Sequence, residues 1–226
     1  MEKKIQKVVI LGSGGYGLEA LWLIEEMNHC NHLDFHWVVI GFGDDNPDRK
    51  GEIYHGHKIL GPTQFVCQEL DSDIYFHSAI ANNVNRQRVA RIMINKGFRA
   101  ATLIHPTVAL HHSVSIGQGT FIGAGTVVAP CAEIGDFVLI NTLVGIGHHS
   151  EVKEFAQVCP GAKINGNCIV DTMAFIGSNA SLQPGKKVGQ GATVGANSFV
   201  VRNVEPHSMV QGVPARTLIH SKSRRS

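Results

Sequence analysis

Residues 140–158 read INTLVGIGHHSEVKEFAQV, with an aliphatic side chain at every sixth position: Ile140, Ile146, Val152 and Val158. Stepping outward by six, the register runs back through Ile134, Val128, Ile122, Ile116 and Leu110 to Ile104. Forward, it runs through Ile164, Val170, Ile176, Leu182, Val188 and Val194 to Val200. All seventeen positions are Ile, Leu or Val, without an insertion. Four residues after many of them comes a small side chain: Thr120, Thr126, Ala132, Ser150, Ala156, Ala162, Cys168, Ala174, Ala180 and Ala192, with Lys186 the misfit. A period of six with one large and one small inward residue is the signature of the hexapeptide parallel β-helix. Three short strands close one triangular coil of about eighteen residues, and each coil buries its core only against its neighbours.

The chain before this repeat has a different texture. Residues 1–99 hold 23 of the 38 charged side chains, and residues 104–205 hold eleven. Glycine shifts the other way, ten before residue 100 and fifteen after it. The reading is a domain over 1–99, a β-helix over 100–220 and a flexible tail over 221–226. In the first part, Lys7–Gly12 (KVVILG), His36–Phe42 and Ile74–Ile80 read as buried parallel strands. The spacing predicts helices over Tyr16–His29 and Val84–Lys96, the second with an exposed Arg/Lys face. Strand–helix–strand order over that length is half of a doubly wound nucleotide-binding fold. The fold class is therefore an α/β half-Rossmann-like domain followed by a parallel β-helix.

Composition excludes several functions. A net charge of +2 gives no field suited to nucleic acid. The uncharged stretch 100–132 contains four glycines and three histidines, so it is no apolar membrane span. The start MEKKIQKVVILG lacks a long apolar run with a cleavage site. Five cysteines without metal-ligand spacing read as reduced thiols in a cytoplasmic protein.

The pieces VVILGSGGYG (8–17), GFGDD (41–45), LIHPTV (103–108), INTLVGIGHHSEV (140–152), CPGAKINGN (159–167) and QGVPAR (211–216) carry a resemblance. Over nearly its whole length the chain resembles the bacterial hexapeptide-repeat acyltransferases that acetylate sugar nucleotides. These include the UDP-4-amino-sugar and GDP-perosamine N-acetyltransferases and relatives named as sialic-acid O-acetyltransferases. The resemblance implies a left-handed β-helix, against the usual handedness of parallel crossovers. It also implies an acetyl-CoA-dependent homotrimer with active sites between neighbouring β-helices.

The family motif is Asn-Thr followed by Glu-His-Asp or Glu-His-Glu, matched here by Asn141-Thr142 and Gly147-His148-His149. The family histidine falls two residues after a hexad aliphatic, and Ile146 puts His148 at that offset. The resemblance makes His148 the general base, an imidazole suited to proton transfer near neutral pH. Gly166 lies eighteen residues further on. It matches the family glycine whose amide meets the acetyl carbonyl, where a missing Cβ permits close approach. His149 stands where the orienting carboxylate normally follows and is carried as a third catalytic candidate. Gln157 stands where a second family histidine is found.

Gly12-Ser13-Gly14-Gly15-Tyr16-Gly17 fits G-x-G-x-x-G after a strand and before a helix, with Asp44-Asp45 closing the second strand. Alone this suggests a dinucleotide. The resemblance instead assigns loop and Asp-Asp turn to the sugar nucleotide, its phosphates near the helix N-terminus. Tyr16 replaces a histidine common in relatives, and Asn141 and Gln157 complete the substrate set. Acetyl-CoA is assigned to Gly166, Ala180, Lys186, Arg202, Gly212, Pro214, Ala215 and Arg216. Zinc is not expected, since the γ-class carbonic anhydrases space two histidines five apart and five after His148 is Lys153. The leading function is N-acetylation of a nucleotide-linked amino sugar. Sugar O-acetylation and a non-catalytic nucleotide-sugar-binding trimer remain open.

Overall fold

The computed structural model describes residues 3–30 and 33–218. The tail expected over 221–226 lies outside the described residues. The first part is a sheet in the order β3-β4-β2-β1-β5-β6. Its strands are β1 (Lys4–Leu11), β2 (Phe35–Gly43), β3 (Ile53–Tyr54), β4 (His57–Gly61), β5 (Tyr75–Ser78) and β6 (Arg99–Ala100). Helices α1 (Gly15–His29), α2 (Thr63–Glu69) and α3 (Asn83–Asn95) connect them. β1 pairs in parallel with both β2 and β5. The chain therefore reverses direction across the sheet at β1, and the loops after β1, β2 and β5 meet at one edge. Such a switch point is where open α/β sheets bind ligands.

One sequence expectation fails in α3. Arg88 and Arg91 are exposed as read, but Arg86, expected on the same solvated face, is fully buried. Its Nε donates to Phe137 O (3.1 Å), Nη1 to the carbonyls of Ile80 and Ala81 (2.8 and 3.0 Å), and Nη2 to those of Phe155 and Ala156 (2.7 and 3.4 Å). Five donors meet five carbonyls, so one guanidinium joins the loop after β5 to two coils of the repeat. Burial pushes its pKa down to about 10, and it stays charged at neutral pH.

From Leu103 to Val200 the chain is a triangular prism of two-residue strands, and those as far as Leu182 each pair in parallel with the strand eighteen residues later, as Phe121 with Leu139 and Ile146 with Ile164. The first face carries the strands at 103–104, 121–122, 139–140, 157–158, 175–176, 193–194 and 209–212. Outward-pointing Leu103, Phe121 and Leu139 on this face pack into the core of the N-terminal sheet, among Val8, Ile10 and Leu23. The second face runs through 109–110, 127–128, 145–146, 163–164, 181–182 and 199–200, and the third through 115–116, 133–134, 151–152, 169–170 and 187–188.

From Ile122 to Val200 every hexad aliphatic is buried. Leu110 is not: it is 42% exposed, because the first coil has no coil beneath it. The small polar residues of the core satisfy the corners. Thr120, Thr126 and Ser150 donate their hydroxyls to the carbonyls of Gly135, Asn141 and Asn165 at 2.8–2.9 Å. Each thereby pairs a carbonyl that would otherwise be buried and unmet. Lys186 occupies a small-residue position yet is only half-buried. Among the described residues no helix is long and apolar enough to cross a membrane.

Candidate active site

His148 and His149 occupy the corner between the second and third faces, directly after the strand Gly145–Ile146. The chain turns there through a left-handed residue: His149 has φ +56°, matched eighteen residues away by Cys131 (+59°) and Asn167 (+58°). His149 N donates to Pro130 O at 3.1 Å, and Asn167 N donates to His148 O at 2.9 Å, so the coils on both sides pin this backbone. Both imidazoles are exposed, and their Nδ1 atoms lie 3.1 Å apart.

Gly166 holds the equivalent corner one coil on. A Cβ built there would lie 2.6 Å from His148 Nε2 and 2.7 Å from Cε1, so the imidazole rests on the bare glycine. Among the described residues the Gly166 amide makes no backbone hydrogen bond. A nitrogen able to take a proton and a free amide donor therefore sit side by side, the pairing acyl transfer requires.

A second cluster forms where the glycine-rich loop meets the first face. Tyr16, in the first turn of α1, accepts Asn141 Nδ2–H at 2.6 Å and Gln157 Nε2–H at 3.0 Å on its phenolic oxygen. Burial, with Cys159 and Glu19 nearby, pushes its pKa up to about 12. The phenol is neutral, and with both contacts accepted its own proton remains available to a ligand. Three residues drawn from distant parts of the sequence are thus in direct contact.

The loop glycines divide by task. Gly12 has φ +108°, and a Cβ there would lie 2.7 Å from Ala79 O, while Gly17 abuts the Gly12 carbonyl. Both serve close backbone packing. Among the described residues nothing lies against Gly14 or Gly15 and no side chain caps the N-terminus of α1, which is accessible to an anion. Ser13, buried, donates its amide to Asp44 at 3.2 Å and its hydroxyl to the same carboxylate. Arg49 lies 3.5 Å from Asp44 and also contacts Ser13. Burial would raise the Asp44 pKa, but the bonds from Ser13 and Asn46 and the charge of Arg49 outweigh it and hold the carboxyl below its usual range.

Asp45, assigned to substrate from the sequence, is committed elsewhere. Its Oδ1 accepts the amide and hydroxyl of Thr63 at the start of α2, at 2.9 and 2.8 Å, and its Oδ2 pairs with Arg88 at 2.6 Å. Burial opposes its ionisation, and these partners outweigh that cost and lower its pKa. Arg49, Arg86 and Arg88 were not singled out from sequence. Only Arg49, four residues after the Asp-Asp turn, stood close enough to suggest itself.

At the far end of the prism, Arg202, Pro214, Ala215 and Arg216 line one cavity of about 450 Å³ with Asn203 and Thr217. Gly212 pairs with Ala215 across the closing hairpin. Ala180, assigned to acetyl-CoA, is fully buried in the prism core, its amide bonded to Gly177 O at 3.1 Å and its carbonyl accepting from Lys163 N at 2.8 Å. The structure does not unite the two clusters within one chain. Tyr16, Asn141 and Gln157 lie at the first face, whereas His148 and Gly166 stand beyond the second.

A family profile described as the PglD N-terminal domain matches residues 7–93. GDP-perosamine N-acetyltransferase of Escherichia coli O157:H7 is 29% identical over 148 residues, which cover 65% of this chain and 64% of that protein, a little under two thirds of its length. The acetyltransferase domain of PglB from Neisseria gonorrhoeae, solved also with acetyl coenzyme A, is 26% identical with a TM-score of 0.84. That match covers 94% of this chain and 100% of the domain. PerB from Caulobacter crescentus, solved with CoA and GDP-perosamine, is 28% identical with a TM-score of 0.81, covering 94% of this chain and 97% of its own. With its α/β domain set against a left-handed parallel β-helix, the chain is similar over 94% of its length to these acetyltransferases.

Proposed function

We propose that the protein transfers the acetyl group of acetyl-CoA to the amino group of an amino sugar carried by a nucleoside diphosphate, with His148 as general base. The observation that carries this reading is the seating of His148 Nε2 against Gly166 beside an uncommitted amide. The neutral amine attacks the thioester carbon, and His148 Nε2 takes a proton from it. The Gly166 amide donates to the oxyanion, which collapses to the amide product and expels the CoA thiolate. The proton held on His148 then passes to the thiolate, leaving free CoA thiol.

Residues 1–99 hold the nucleotide in this reading. The open N-terminus of α1 takes phosphate, and Tyr16, Asn141 and Gln157 present a neutral, hydrogen-bonding wall to the sugar. Residues 100–220 hold acetyl-CoA, with Arg202 and Arg216 at the terminal cavity suited to its phosphates. The solved relatives that contain CoA and GDP-perosamine support both assignments. The separation of the two clusters supports a site completed by a neighbouring copy in a homotrimer, seated along the second face where Val127 is 52% exposed.

Incubation with acetyl-CoA, a thiol reagent and a panel of UDP-, GDP- and dTDP-linked amino and hydroxy sugars tests the reading. Thiol release with an amino sugar, and a product heavier by one acetyl group, is expected. Release only with hydroxy sugars, or nucleotide binding without release, contradicts it.

A further inference from the structure

We propose that His149 is a positioning residue for His148, selecting the tautomer that leaves Nε2 free to accept a proton; this rests on the assignment of His148 as base. Two imidazole nitrogens 3.1 Å apart hold one proton between them. If His149 Nδ1 carries it, a neutral His148 bears its own proton on Nε2, over Gly166, and has nothing with which to accept. If His148 Nδ1 carries it, the Nε2 lone pair faces Gly166. Only the second arrangement is competent.

The reaction itself favours that arrangement. When Nε2 takes the substrate proton, His148 becomes an imidazolium and its Nδ1–H bond to His149 becomes charge-assisted. The contact is thus stronger in the state the reaction forms than in the resting enzyme, which is what accelerates a step. Neutral His149 contributes an acceptor without a charge, where a carboxylate would contribute both.

Backbone geometry fixes the pair. His149 N bonds to the coil below, His148 O accepts from the coil above, and the left-handed corner turns the His149 ring back toward its neighbour, the planes meeting at 83°. The corner tolerates substitution. Phe137 and Phe155 adopt the same left-handed conformation at other corners, with φ +54° and +57°, and Asn167 does so directly above. His149→Phe therefore removes the acceptor without refolding the turn, and His149→Asp restores one.

Long-range ¹H–¹⁵N correlation on the ¹⁵N-histidine-labelled full chain reads the tautomer, with His148 assigned by its loss in His148→Asn. The wild type and His149→Asp should show His148 protonated on Nδ1 and should turn over comparably. His149→Phe should show mixed tautomers and a kcat lower by about tenfold or more, with acetyl-CoA affinity retained. An unchanged tautomer and kcat in His149→Phe, or a His149→Asp enzyme as impaired as His149→Phe, would overturn the proposal. Failure of the base assignment looks different: normal turnover by His148→Asn.

Discussion

The imidazole of His148 lies so close over Gly166 that a β-carbon on the glycine would fall 2.6 Å from Nε2. Gly166 does not have a positive φ, so its backbone accepts alanine without strain. The methyl would displace the ring rather than the coil. Gly166→Ala should unfold within about 1 kcal/mol of the wild type, yet lose roughly 10²-fold in kcat, the scale of a misplaced catalytic group. Equilibrium unfolding beside steady-state kinetics checks this. Wild-type kcat in a folded variant would mean the ring is free to sit elsewhere.

Tyr16 links the glycine-rich loop to the prism by accepting two side-chain amides. Tyr16→Phe leaves the mostly buried Asn141 and Gln157 amides without that acceptor. Stability should fall by about 1–3 kcal/mol, measured by urea unfolding. KM for the sugar nucleotide should rise while acetyl-CoA affinity holds. Unchanged stability would show that the amides find other partners.

Assembly has its own test. Val127 projects from the second face, and Leu143, 62% exposed, from the corner between the first and second faces. Light scattering should give three times the 24.4 kDa chain mass. Val127→Asp with Leu143→Asp should give folded, inactive monomers, because a carboxylate buried at an interface costs several kcal/mol. A wild-type monomer at working concentration would remove the composite site.

His77 predicts an acid limit. It is fully buried, its Nδ1–H donates to Ala101 O at 2.9 Å, and Nε2 has no partner among the described residues. Burial, with the Arg86 charge adding, lowers its pKa from 6.5 to about 4. Between those values the unfolded chain binds a proton that the folded chain does not. Stability from this group is full above pH 6.5 and falls as pH drops toward 4, with a slope approaching ~1.4 kcal/mol per unit. Unfolding at pH 7 and pH 5 should show a smaller loss in His77→Gln. An equal loss would move the acid sensitivity to other groups.

The legible parts of this molecule were those written in a local period. The hexad register sets the coil, and the eighteen-residue offset by itself stacks Gly166 on His148. What escaped the sequence rests on backbone partners. Arg86 reads as one more surface cation of α3, because the carbonyls it meets lie as far as 70 residues away and leave no mark in side-chain pattern. Asp45 reads as a ligand group beside Asp44, but the helix it caps begins 18 residues later. That helix and the β3–β4 hairpin are too short for a period to emerge. The Tyr16 contacts needed both domains docked, which no single segment encodes.

The most direct test of the account is His148→Ala, measured for kcat with an amino-sugar nucleotide accepted by the wild type and for acetyl-CoA binding by calorimetry. A general base held against an oxyanion donor predicts a fall in kcat of roughly 10²–10⁴-fold with acetyl-CoA affinity unchanged. Turnover at the wild-type rate would contradict it and take the chemistry away from His148.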